Sequence, residues 1–113
     1  MHDASAGPVG LARAYYECVD TGDYERLRGL LAAGFVQRRP DRSLEGADRF
    51  VAFMREERPE TDTTHAVDEV YTSDGGVAVR GRLLRADGTE WFGFVDCFDV
   101  EDGRLTALET FTR

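Results

Sequence analysis

One carboxylic acid of this chain lies within a run of aromatic residues, where strand alternation predicts that it is buried. The run beginning at Glu90 reads EWFGFVDCFDV, and successive side chains of a strand point to opposite faces of a sheet. Three aromatic residues therefore share the face of Asp96: Phe92, Phe94 and Phe98. Burial would raise the pKa of Asp96 and make it a neutral hydrogen-bond donor or a general acid. A neighbouring Arg80 or Arg39 would instead hold it ionised in a buried salt bridge.

Two further side chains are candidates for carrying a proton or for donating to a charged atom. Tyr15 lies on the apolar stripe of a predicted helix, and His65 is the one histidine of the predicted folded part. Histidine is the side-chain type whose charge ordinarily changes near neutral pH. Each also has a structural interpretation, because a tyrosine on such a stripe usually belongs to the core and a lone histidine is usually a packing residue. We therefore name Asp96, Tyr15 and His65 as candidate catalytic residues.

Arg80 and Arg82 stand two apart and therefore share one face of a predicted strand. On the inner face they would present guanidinium donors to a ligand carboxylate or phosphate, and on the outer face they would be solvated. We favour the inner face, because the alternate residues Val77, Val79 and Leu83 would then meet a partner subunit. The predicted ligand-binding residues are Arg39, Arg80, Arg82, Thr110, Phe94, Leu108, Phe50 and Met54.

Composition and charge exclude several classes of function. The chain of 113 residues has 22 acidic and 14 basic residues, a net charge of −8 that repels nucleic acids and anionic membrane surfaces. No apolar run approaches the roughly 20 residues that cross a bilayer, and no signal-peptide pattern is present, so we expect a cytoplasmic protein with no membrane partner. Two cysteines are too few for a disulfide scaffold. Metal-ligand, phosphate-loop and dinucleotide motifs are missing from the sequence, so we expect no metal and no cofactor.

Apolar periodicity predicts three helices followed by a sheet. Helices are predicted over residues 8–21, 23–33 and 47–58, and a short edge strand over residues 35–39 precedes the third. Four further strands are separated by the turn-forming segments SDGG, ADG and EDG, and they are predicted at residues 63–72, 77–85, 89–100 and 105–112. This order predicts one α+β domain, in which a curved, mostly antiparallel sheet wraps around three helices and encloses one pocket. Residues 1–7 are expected to form a flexible tail.

The order of these elements and three local segments resemble the nuclear-transport-factor-two-like superfamily. The segments are AYYECVDTGDYERLRGLLAAGFV, LEGADRFVAFM and GFVDCFDVEDGRLTALETF. This superfamily has a cystatin-like cone fold and includes SnoaL-like polyketide cyclases, ketosteroid isomerases and limonene epoxide hydrolases. The resemblance covers nearly the whole chain and implies that residues 8–113 are a single SnoaL-like domain. Because the superfamily hosts many reactions, the fold alone assigns no chemistry.

The resemblance also implies roles for particular positions. Ketosteroid isomerases place a tyrosine of the first helix and a carboxylic acid of the third long strand beside a developing oxyanion, and the matching residues here are Tyr15 and Asp96. Their carboxylate base corresponds to Arg39, which cannot accept a proton at neutral pH. The epoxide hydrolases use an Asp-Arg-Asp set, of which only the central arginine is retained: the matching residues are Arg82, Arg80 and Thr110. The resemblance therefore argues against both of these reactions.

Two functions and one assembly state are predicted. The first function is a cofactor-independent acid–base enzyme, of the isomerase, cyclase, lyase or hydrolase type, acting on a small polar or anionic, partly apolar molecule. The second is a non-catalytic module for ligand binding or assembly. A homodimer is expected because the outward side chains of the sheet are predicted to be apolar and would form a large exposed patch in a monomer. The outer residues of this patch are Trp91, Val95, Phe111, Val79 and Leu105.

Overall fold

The first helix begins earlier in the chain than the sequence predicts. The computed structural model describes residues 3–113, with side chains described from residue 7 onwards. Helix α1 covers Asp3–Thr21 and loses helical geometry at Gly7, whose φ of 65° lies in the left-handed region that glycine tolerates. The helix predicted from Pro8 is therefore present, and helical backbone also precedes it. Residues 1 and 2 lie outside the described residues, and the flexibility expected of the N-terminal tail stays a prediction.

Two shorter helices complete the helical layer. Helix α2 covers Tyr24–Leu30, and the carboxylate of Asp23 caps it by accepting a hydrogen bond from the backbone amide of Arg26. It ends at Leu30 instead of the predicted residue 33, because the first strand already begins at Leu31. Helix α3 covers Ala47–Glu56. Its apolar face is buried, as the periodicity predicts: Ala47, Phe50, Val51, Phe53 and Met54.

Six strands form one mixed sheet. They are β1 Leu31–Arg38, β2 Ser43–Glu45, β3 Thr64–Ser73, β4 Gly76–Leu84, β5 Glu90–Glu101 and β6 Arg104–Thr112. Their order across the sheet is β2-β1-β6-β5-β4-β3, and β3 to β6 form the predicted antiparallel meander. The prediction of an edge position for β1 is wrong. β1 pairs parallel with β6, and the chain after it turns back so that the short β2 occupies the edge.

The register of β4 against β5 decides which side chains face the helices. Val79 pairs with Asp96 and Val77 pairs with Phe98, and directly opposed residues of antiparallel strands share a face. All four side chains are buried. The inner face of β4 therefore carries its valines.

Arg80 and Arg82 consequently point outwards, and their prediction as inner-face residues is wrong. Both lie on the face opposite to Val79, because side chains alternate along β4. Arg82 forms an ion pair with Asp68, in which the Nη2–Oδ1 distance is 2.9 Å, and Arg80 lies 4.0 Å from Glu69. A shift of one residue in strand register exchanges the two faces of a strand. The sequence of β4 alone therefore did not determine which of its faces is buried.

The apolar outer face expected for a homodimer is smaller than the sequence predicts. Val79 and Leu105 are buried in the core, and Trp91 is the extra residue of a bulge between β4 and β5 and borders the internal pocket. These three residues are wrongly assigned to the outer face. Val95 and Phe111 are paired across β5 and β6 on that face, where Phe111 is 49% exposed.

The core lies between the helices and the inner face of the sheet. Its largest fully buried side chains come from both layers and include Leu27, Phe35, Phe50, Phe98 and Leu108. Gly81 has no side chain and so leaves room for the ring of Phe94. A Cβ added at Gly81 would lie 2.8 Å from that ring and 2.4 Å from the carbonyl oxygen of Ala66. The curved sheet and its three helices confirm the predicted α+β fold.

Candidate active site

A pocket of about 190 Å³ lies on the inner side of the sheet. It is somewhat larger than the roughly 150 Å³ cavity that holds benzene, so a single ring or a short branched chain fits. Seven predicted site residues line it: Tyr15, Arg39, Met54, His65, Phe94, Asp96 and Thr110. The other four do not line it, because Phe50 and Leu108 are buried in the core and Arg80 and Arg82 point outwards.

Asp96 is the buried carboxyl group of the pocket and is only 4% exposed. The Tyr16 hydroxyl donates to its Oδ2 at 2.7 Å, and the Thr110 hydroxyl donates to its Oδ1 at 2.7 Å. Burial raises the pKa of Asp96 above its ordinary value, while these two hydrogen bonds oppose the rise. Within residues 3–113 no arginine forms an ion pair with Asp96, so the salt-bridge interpretation is wrong.

The tyrosine that binds Asp96 is Tyr16, which the sequence prediction missed in favour of Tyr15. Tyr15 lines the pocket and packs edge-on against Tyr16, with ring centroids 5.1 Å apart. Burial raises the pKa of both hydroxyls, so both stay protonated; Tyr16 donates to Asp96, whereas the Tyr15 hydroxyl makes no hydrogen bond within the described residues. Tyr16 stands four residues after Ala12 and three before Val19, and residues at these spacings share one face of a helix. The sequence therefore did indicate that Tyr16 faces the core.

His65 is held by Asp20, a residue that no sequence pattern had indicated. The Oδ1 of Asp20 lies 2.6 Å from the Nδ1 of His65, and its Oδ2 accepts the backbone amide of His65 at 3.0 Å. The His65 ring also packs against Tyr16, with centroids 4.9 Å apart. The Asp20 carboxylate favours a proton on Nδ1, and in the neutral ring Nε2 is then the nitrogen that accepts.

A chain of hydrogen bonds joins Arg39 to the buried carboxyl group. Arg39 Nη1 donates to Gln37 Oε1 at 3.3 Å, and Gln37 Nε2 donates to Thr110 Oγ1 at 3.0 Å. Thr110 in turn donates to Asp96. The Arg39 guanidinium also lies over the ring of Phe53, 5.1 Å from its centroid. Gln37 is buried, and no sequence pattern had indicated it.

Further charged residues line the pocket beyond those predicted. Arg58 donates to the carbonyl oxygen of Met54 at 2.7 Å. Glu60 lies 3.7 Å from Arg85, whose guanidinium is 4.5 Å from the Trp91 ring centroid. The pocket thus combines apolar walls with a small number of fixed polar groups.

Two features are absent from the described part of the chain. Among residues 3–113, no group of histidine, cysteine, aspartate or glutamate side chains is placed to hold a metal ion. In the same part of the chain, no helix is both long enough and apolar enough to cross a bilayer.

Fold and site together define a class of protein: an α+β cone in which helices close a curved sheet over one pocket with a buried carboxyl group. The sequence model of the SnoaL-like domain matches residues 12–108, and the chain belongs to the SnoaL-like family. The resemblance noted in the sequence is thereby confirmed. None of the curated proteins matches the chain.

Solved structures with the same fold come from several bacteria. A nuclear-transport-factor-two-like protein of unknown function from Cytophaga hutchinsonii superposes with a TM-score of 0.81 at 15% identity, over 94% of this chain and 89% of its own. A candidate ketosteroid isomerase from Kribbella flavida gives 0.80 at 22% identity, over 91% and 75%. A candidate SnoaL-like polyketide cyclase from a Jannaschia species gives 0.78 at 18% identity, over 93% and 84%. These likenesses are likenesses of fold.

Proposed function

We propose that this chain is a small-molecule enzyme that moves a proton without a cofactor, with Asp96 as the group that carries it. The observation that carries the proposal is the position of Asp96: a carboxyl group that is buried at an otherwise largely apolar pocket, with two hydroxyl donors and no paired cation. Burial raises its pKa above the ordinary range, which makes the Asp96 carboxylate a stronger base.

The proposed step is proton transfer next to a carbonyl group. The Asp96 carboxylate takes a proton from the carbon beside the carbonyl, and the electron pair of the broken C–H bond moves into an enolate. The Tyr15 hydroxyl donates a hydrogen bond to the enolate oxygen, and Asp96 then returns the proton to carbon. His65, held by Asp20, is the second group of the pocket that can accept a proton. Phe94 and Met54 supply apolar contact area.

Isomerisation and cyclisation, the activities named for two of the structural neighbours, are consistent with such a step. Both reactions of a carbonyl compound pass through loss or gain of a proton at carbon. The likeness supports the class of reaction, and the geometry of Asp96 supports its choice as the group that carries the proton.

Deuterium exchange tests the proposal directly. The protein is incubated in deuterium oxide with cyclohexanone or acetophenone, and NMR follows the loss of protons beside the carbonyl. We expect exchange above the buffer rate, lowered about a hundredfold or more by Asp96→Asn, since general acid–base catalysis contributes about 10²–10⁴-fold. The matched control is Asp99→Asn, the same change on the exposed side of β5. Binding of these ketones without exchange would support the non-catalytic module instead.

We also propose that two copies pair through the outer face of the sheet around Val95 and Phe111. The support is the cross-strand contact of these two side chains together with the exposure of Phe111. Sedimentation equilibrium of the wild type should show a dimer, and Val95→Arg should shift it to a monomer. Glu101→Arg introduces the same side chain at the end of the hairpin and should leave the dimer intact. A wild-type monomer at all concentrations would refute the pairing.

A further inference from the structure

Gln37 is a buried polar residue that lines the pocket and reaches Asp96 only through another side chain. It lies near the end of β1 and is only 2% exposed, and both ends of its amide group are hydrogen-bonded. Its Oε1 accepts from Arg39 Nη1 at 3.3 Å, and its Nε2 donates to Thr110 Oγ1 at 3.0 Å. Thr110 Oγ1 lies 2.7 Å from Asp96 Oδ1. Gln37 is therefore two hydrogen bonds away from the buried carboxyl group.

The chemistry of these groups fixes the direction of each hydrogen bond in the chain. A guanidinium group has donors only, so the oxygen of the Gln37 amide must face Arg39. The NH2 end of the amide then faces Thr110 and donates to it. A hydroxyl group has one proton, and because the Thr110 oxygen accepts from Gln37, its own proton points to Asp96. The donors of one arginine thus set the polarity of the whole chain.

The opposite orientation of the Thr110 hydroxyl is unfavourable at both ends. A proton turned towards Gln37 would meet its NH2 group, which places two donors against each other and leaves Asp96 Oδ1 without this donor. Burial raises the pKa of Asp96, and the hydrogen bond from Thr110 opposes that rise. Gln37 therefore supports the ionised carboxylate, which is the form that takes a proton in the proposed reaction, without contacting it.

We infer that Gln37 is a positioning residue for Asp96: its amide fixes the Thr110 hydroxyl as a donor and so holds the Asp96 carboxylate ready to accept a proton. The role in catalysis rests on the proposed function. The directed chain of hydrogen bonds, from Arg39 through Gln37 and Thr110 to Asp96, does not require turnover and can be tested without it.

The other neighbours of Asp96 decide which routes from Gln37 must be separated. Strands β4 and β6 place uncharged residues directly opposite Asp96, namely Val79 and Thr110. Its ionisable neighbours come from the other elements around the pocket: Tyr15 and Tyr16 on α1, His65 on β3 and Arg39 after β1. Arg39 is the member of this set that hydrogen-bonds to Gln37. A change at Gln37 can therefore act on Asp96 through Thr110 or through the charge near Arg39.

Side-chain NMR gives a direct measurement, because the chain contains one glutamine and no asparagine. Its nitrogen–proton spectrum therefore has one side-chain NH2 pair, which belongs to Gln37. We expect this pair to shift with the same pH midpoint as the carboxyl carbon of Asp96, since protonation of Asp96 weakens the hydrogen bond that Thr110 donates. Thr110→Val should abolish the response of the NH2 pair. Thr110→Ser keeps the hydroxyl and should preserve it.

Reversal of the chain is a second test. In Gln37→Glu the new carboxylate, held by Arg39, can only accept, so the Thr110 proton should turn to it and away from Asp96. We expect the acid dissociation constant of Asp96 to fall about threefold or more. The same change in a Thr110→Val background should have much less effect, which separates loss of the hydroxyl donor from the added charge. Arg38→Gln is the matched control, because it changes the charge by the same amount on the exposed, opposite face of β1 and should leave this constant nearly unchanged.

The pH profile of ketone exchange separates positioning from a structural role. The exchange rate should rise with pH through the pKa of Asp96, and Gln37→Glu should move that midpoint to higher pH. A purely structural defect would lower the rate at every pH and leave the midpoint in place. Gln37→Met keeps the length of the side chain without its polar atoms and should move the midpoint in the same direction by less, which provides the test if Gln37→Glu does not fold.

The outcomes distinguish the positioning role from the function on which it rests. An NH2 pair that does not follow Asp96, a response that survives Thr110→Val, or an Asp96 dissociation constant that is unchanged in both Gln37 variants would overturn the positioning role, even if ketones exchange their protons. If the NH2 pair follows Asp96 but no ketone exchanges, the directed chain stands and the proposed function fails.

Discussion

Replacement of Tyr16 by phenylalanine should destabilise the protein by an amount that depends on pH. The ring of Tyr16 packs against His65, Phe94 and Phe98 and would keep those contacts, so the change removes only the hydroxyl that donates to Asp96 at 2.7 Å. A hydrogen bond to an ionised group contributes about 1.5–3 kcal/mol and one between neutral groups about 0.5–1.5 kcal/mol. Tyr16→Phe should therefore cost about 1 kcal/mol more above the pKa of Asp96 than below it.

Urea denaturation at a series of pH values measures this difference. The hydrogen bond from Tyr16 lowers the pKa of Asp96, so its removal should also raise that pKa further, which carboxyl carbon NMR of Asp96 reports independently. Tyr15→Phe is the matched control, because Tyr15 is a neighbouring buried tyrosine whose hydroxyl makes no hydrogen bond within the described residues. A loss of stability that is the same at every pH, or an unchanged Asp96 titration, would refute the assigned role of Tyr16.

Two further predictions concern the other ionisable groups of the pocket. Because the folded-state pKa of Asp96 is raised, its contribution to stability is fully present below its ordinary pKa of 3.8 and is lost as pH rises through the folded value. We compare the free energy of unfolding of the wild type with that of Asp96→Asn at each pH. The difference, wild type minus variant, should fall with rising pH over this window by up to about 1.4 kcal/mol per pH unit. A difference that does not change with pH would contradict the raised pKa. Asp20→Asn should weaken the preference for a proton on His65 Nδ1, which the nitrogen chemical shifts of the ring measure; unchanged shifts would mean that Asp20 does not set the tautomer.

The sequence predicted the elements well because their signals are local. Gly22 marks the end of α1 and Gly46 the start of α3, and the SDGG, ADG and EDG segments mark the turns of the meander. The burial of Asp96 also followed from local alternation, since Phe94 and Phe98 occupy the same face of one strand. None of these predictions depended on which residues are paired across neighbouring strands.

The inner face of β4 was mispredicted because its position depends on pairing between strands. Alternation placed Val77 and Val79 on one face of β4, but that face was expected to meet a partner subunit, whereas the pairing with β5 turns it towards the core. Contacts between distant segments were out of reach for a similar reason. Asp20 and His65 are 45 positions apart, and nothing near Asp20 in the sequence indicates that it caps a histidine at the start of β3.

Ligand binding and the protonation of Asp96 are physically linked in this pocket. The positive charge of Arg39 lowers the pKa of Asp96, although less than burial raises it. A ligand carboxylate beside Arg39 would offset that charge, and exclusion of water by the ligand would deepen the burial of Asp96. Both effects raise the pKa of Asp96. An anionic ligand would therefore favour the protonated acid on binding, whereas a neutral ligand of the same size would do so only through the loss of water.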